Sequence, residues 1–71
     1  MSPDKLVYMA NQIGKFFAHS SEEQAALNTA DHLKKFWDPR MRRAILDYVK
    51  DGGEGLQPIA LKAVRSLDPD A

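Results

Sequence analysis

Three prolines partition this chain. Pro3, Pro39 and Pro58 each stand at the head of a segment whose apolar residues recur at helical spacing. Proline has no backbone N–H to give, but the first turn of a helix needs none, and its φ is already helical. It therefore opens helices and disrupts them from inside. It also disfavours the α conformation in the residue before it, so a helix has to stop by Asp38. No segment alternates with period two as a half-buried strand would. The pattern predicts an all-α fold: one small domain of about four short helices, near 3–18, 21–37, 39–51 and 58–67.

The apolar stripes are explicit. In the first segment Leu6, Met9, Ala10, Ile13, Phe16 and Phe17 follow the i, i+3, i+4, i+7 rule, with Ser2 placed to cap. The second carries Ala26, Ala30, Leu33 and Trp37, the alanines allowing close approach of a neighbour. Its start is ambiguous, because Ser20 with Glu23 and Ser21 with Gln24 are both spaced as a capping box. In the third, Asp38 is placed to cap, and Met41, Ala44, Ile45, Tyr48 and Val49 share a face opposite a charged one. Gly52 supplies a position after it that tolerates positive φ. The fourth has Ala60, Ala63, Val64 and Leu67, and the last residues, Asp68 to Ala71, are expected to fray.

Size limits what such a fold can do. For 71 residues, folding hides about 7,000 Å² of surface. Its apolar share stabilises by on the order of 100 kcal/mol, and ordering the chain costs about the same. There is no cysteine, so neither a disulfide nor a thiolate metal site offsets that balance. A partner protein or unusually good helix packing is required, and a self-contained enzyme is not expected. Ten basic residues balance ten acidic ones, so no global field draws the chain to nucleic acid or an anionic membrane. No apolar run approaches the length of a membrane span, and the first residues do not read as a secretory signal. Absence of cysteine fits the cytoplasm.

A basic run holds Lys34, Lys35, Arg40, Arg42 and Arg43, with Phe36 and Trp37 inside it. It could serve as a nucleic-acid surface, but cations also belong in the last turn of a helix and on a solvated face, and overall neutrality disfavours a phosphate footprint. The glycines at 52, 53 and 55 lack the strand and the Gly-Lys-Ser/Thr ending of a phosphate loop and read as a turn. His19 and His32 have no second ligand at helical spacing, so no metal site is expected. No serine has a nucleophile context and no carboxylate pair stands out, so no catalytic residue is assigned. Several apolar residues miss the stripes: Val7, Tyr8, Leu27, Phe36, Leu46 and Leu61. Grouped on a surface they would mark an interface; otherwise they fill second buried faces of packed helices.

Three stretches resemble a known family. They are Met9-Ala10-Asn11-Gln12-Ile13 with Phe16-Phe17; Ala30-Asp31-His32-Leu33-Lys34-Lys35-Phe36-Trp37-Asp38-Pro39-Arg40-Met41-Arg42; and Gly52-Gly53-Glu54-Gly55-Leu56 with Pro58 and Ala63-Val64. Together they resemble the delta subunit of cytoplasmic, NAD-dependent, molybdenum- or tungsten-containing formate dehydrogenase. The resemblance spans about Leu6 to Leu67.

That resemblance implies a non-catalytic accessory subunit without redox centres of its own. It implies a complex in which a catalytic alpha subunit carries a bis-molybdopterin guanine dinucleotide centre with molybdenum or tungsten and iron–sulfur clusters. Beta and gamma subunits carry FMN and further clusters and reduce NAD. The delta subunit would dock on the alpha subunit and support its stability, assembly or cofactor insertion. The expected partner-binding residues are the corner Phe36, Trp37, Asp38, Pro39 and Arg40, with Arg42, Arg43, Tyr8, Leu46 and Leu61. Aromatic and arginine side chains suit an anchor because they bury area and make directional contacts. Two alternatives remain at this stage: a small helical regulator that binds nucleic acid through the run 34–43, and a carrier that holds the guanine dinucleotide on Arg40, Arg42 or Arg43.

Overall fold

The computed structural model describes residues 2–69. Four helices account for its regular structure: α1 (Pro3–Phe16), α2 (Glu22–Phe36), α3 (Pro39–Lys50) and α4 (Pro58–Arg65). No strand occurs among the described residues. Of the expected fraying segment, Asp70 and Ala71 lie outside the described residues, as does Met1.

Two of the four helices start at a side-chain cap. Ser21, not Ser20, caps α2, its side chain accepting from the Gln24 N–H at 3.2 Å. Asp38 caps α3, with Oδ1 accepting from the Met41 N–H at 2.9 Å. Ser2 occupies the cap position of α1, but its side chain accepts nothing there; its carbonyl takes the Lys5 and Leu6 N–H groups instead. Two helices end earlier than periodicity suggests. After Phe16 the chain tightens into short-range turns, with Ala18 N–H on the Lys15 carbonyl and Ser20 N–H on that of Phe17. After Arg65 the Leu67 N–H turns back to the Val64 carbonyl in the same way.

The C-terminus of α3 is closed by two bonds. Gly53 N–H reaches the Tyr48 carbonyl at 3.0 Å and Gly52 N–H that of Val49 at 2.9 Å, which is a Schellman arrangement. It requires positive φ, found at Gly52 (123°) and Gly53 (64°). The loop that follows is held from two sides. Tyr48 Oη donates to the Glu54 carbonyl at 2.6 Å. Asn11 of α1 donates to the Gly55 carbonyl and accepts from the Gln57 N–H, both at 2.9 Å.

α1 and α4 each pack on all three other helices, whereas α2 and α3 scarcely touch. The core consists of Leu6 and Ala10, Leu33 and Trp37, Ile45, and Ala60 and Val64. Six of its eleven buried apolar residues are alanine, at 10, 25, 26, 30, 60 and 63. Small side chains let the eight-residue α4 sit close to its neighbours. Thr29 is buried with them, its hydroxyl donating to the Ala25 carbonyl at 2.7 Å, so no side-chain polar group is left unsatisfied there.

Several stripe assignments are corrected. α1 is rotated so that Leu6, Ala10 and Gly14 face inward. Phe16 is thereby 75% exposed, and Met9 faces outward too. Ala44 is exposed on α3, while Leu46 and Val7, off the predicted stripes, pack against the core.

Candidate functional site

Three phenylalanines and a histidine that lie outside the buried core meet along α1 and α2. Phe16 and Phe17 pack edge to face, their ring centroids 5.1 Å apart. Phe17 meets the His32 ring at 6.4 Å, and His32 meets Phe36 at 4.6 Å. His32 and Phe36 are one helical turn apart, so both lie on the same side of α2. The result is a continuous ridge, Phe16–Phe17–His32–Phe36, in which Phe36 is 72% exposed. Two phenylalanines so exposed, joined through intervening rings, form an apolar surface that water solvates poorly.

The expected partner-binding residues separate into three groups. Phe36 is on the ridge, and Asp38, Pro39, Arg40 and Arg43 are exposed around the α2–α3 corner. Tyr8 is exposed on α1. Trp37 is different: it is 5% exposed and belongs to the core, so the free chain does not offer it to a partner. It lies four residues after the fully buried Leu33, on the same side of α2 and directly past its last turn, which carries the indole inward. Leu46 and Leu61 are half-buried, filling second faces of their helices.

The basic run does not form one surface. Lys35 pairs with Asp31 at 3.0 Å on the solvent side of α2. Arg42 folds back, Nη1 donating to the Lys34 carbonyl at 3.2 Å, and so ties α3 to the last turn of α2. Lys34, Arg42, Arg43 and Lys50 line an open groove where α2 and α3 diverge, with Pro39, Leu46, Leu67, Asp68 and Pro69. Its volume is about 550 Å³. Lys34 is two residues from both His32 and Phe36, about 200° around the helix, so groove and ridge occupy different faces.

The donor set does not fit a metal or cluster. Among the described residues no group of three His, Cys, Asp or Glu side chains could hold an ion, and the sequence has no cysteine. Nor is any helix among the described residues long and apolar enough to cross a membrane.

The model of the NADH-dependent formate dehydrogenase delta subunit family, FdsD, matches residues 5–64. The chain belongs to that family. The match runs from the first turn of α1 to the penultimate residue of α4, so it takes in the ridge and most of the groove. No curated protein and no solved structure shows significant similarity to the chain. The FdsD assignment agrees with the resemblance carried by the three sequence stretches. Sequence reasoning set Phe36 off the α2 stripe and Phe16 on the α1 stripe; that Phe17 and His32 join them into one ridge carries no signal in either helix alone.

Proposed function

We propose that this FdsD chain is a non-catalytic accessory subunit that docks on the molybdopterin-containing catalytic alpha subunit of a cytoplasmic NAD-dependent formate dehydrogenase. There it stabilises that subunit during assembly and cofactor insertion. The bis-molybdopterin guanine dinucleotide with its molybdenum or tungsten, the iron–sulfur clusters, FMN and NAD belong to the alpha, beta and gamma chains. The observation that carries the reading is the aromatic ridge. Its rings contribute little to this chain's own core, yet they are held in fixed mutual contact, as an anchor requires. Phe36 is the centre of the anchor and Arg40 is exposed in the first turn of α3, while Trp37 supports the corner from inside. Rings with few rotatable bonds bury much area for little lost entropy.

The test is co-expression with the alpha, beta and gamma subunits and purification through a tag on the delta chain. Phe36→Ser and Phe16→Ser are expected to reduce recovered alpha subunit about tenfold or more, since buried aromatic anchors cost ~2 kcal/mol or more on truncation. Far-ultraviolet circular dichroism of each variant should match the parent. Full recovery with the double variant would overturn the reading.

A further inference from the structure

We propose that the groove between α2, α3 and the segment after α4 takes an extended acidic segment of the partner polypeptide. The inference rests on the docking reading above and adds a second contact on a different face.

Charge and shape carry it. Lys34, Arg42, Arg43 and Lys50 line the groove with Asp68 as its one carboxylate, in a chain whose formal charge is zero. The α3 wall is a single helix face, running from Pro39 to Lys50, so the groove extends about 16 Å at 1.5 Å per residue. An extended segment of about five residues spans that length. Arg43 and Lys50 stand on either side of Leu46, so the matching segment carries carboxylates flanking an apolar side chain. Leu67, Asp68 and Pro69 complete the lining.

Other anions fit less well. A compact phosphate would reach one or two of cations spaced along about two helical turns. A nucleic-acid strand would meet Leu46 in the middle of its path and find no aromatic ring to stack on among the lining residues. Arg42 is already held by the Lys34 carbonyl, which fixes its guanidinium at the groove's edge before any partner arrives.

The test uses the full chain in complex with the formate dehydrogenase subunits. Carbodiimide joins lysine amines to carboxylates in contact. Coupling of Lys34 or Lys50 to an Asp- or Glu-rich stretch of a partner subunit is expected; coupling to partners only through Lys5, Lys15 or Lys62 would overturn the proposal. In parallel, the Arg43→Glu/Lys50→Glu double variant changes two exposed residues. Its retention in the complex at low salt should fall about tenfold, and the parent's salt sensitivity should be lost with it. Loss of retention in Phe36→Ser but not in the charge-reversed variant would overturn the groove and leave the docking reading standing. Unchanged retention in both would overturn both. Binding of a DNA duplex that the same reversal abolishes would make the groove a phosphate site and overturn the proposal.

Discussion

Asn11 shows how much one side chain can organise. It sits in the middle of α1 and closes two hydrogen bonds to backbone 44 and 46 residues away, at Gly55 and Gln57. Those bonds orient the loop that delivers α4 to the core. Each is worth about 0.5–1.5 kcal/mol, so Asn11→Ala should lower stability by about 1–3 kcal/mol in urea denaturation. Asn11→Asp should lie between the two, keeping the acceptor for Gln57 while setting a carboxylate against the Gly55 carbonyl. Nothing near Asn11 in sequence announces this role; it is set by where the loop arrives. Gly53 is the opposite case, since a glycine after a helix is a readable signal. Its φ of 64° is unfavourable for a side chain, and an added Cβ would stand 3.1 Å from Leu61 Cδ1 and 3.5 Å from Val49 Cα. Gly53→Ala should therefore cost at least ~1 kcal/mol by the same measurement.

At the scale of elements, helix starts were more legible than helix faces. Pro39 and Asp38 act locally, and α3 begins where they require. The cap is testable: Asp38→Ala should cost about 1 kcal/mol, whereas Asp38→Asn keeps an acceptor for the Met41 N–H and should cost little. The face of α1 was not legible in the same way. Six apolar residues compete for its inner surface, and the deciding residue is Gly14, which periodicity does not count. Its missing side chain lets Ile59 approach until an added Cβ would be 3.3 Å from Ile59 Cγ2. That close crossing rotates α1 and turns Phe16 outward. The ridge thus follows from tertiary packing, while Phe36 could be found from its place off the α2 stripe.

For the whole molecule, 4744 Å² remains accessible, against about 11,600 Å² for an extended chain of this mass. Folding hides about 59% of the surface, near the value at which small domains become marginal. The core is small as well as shallow, its largest fully buried side chains being Leu6, Leu33, Ile45, Val64 and Thr29. A ligand that binds only the folded chain stabilises it by mass action, by about 2.7 kcal/mol at a hundredfold excess over Kd. The free chain should therefore melt at a modest temperature and well below the temperature at which it melts when bound. A scan with and without the catalytic subunit checks this.

The central claim is that a larger subunit covers the aromatic ridge, and hydroxyl-radical footprinting reads that coverage side chain by side chain. In the free chain Phe16, Phe36 and Leu27 are all exposed and should all be oxidised. Leu27 is nine residues before Phe36, half a turn around α2, and serves as an internal reference. In the assembled formate dehydrogenase, Phe16 and Phe36 should be protected severalfold while Leu27 keeps reacting. Equal oxidation of Phe16 and Phe36 in the free and assembled states would contradict the account.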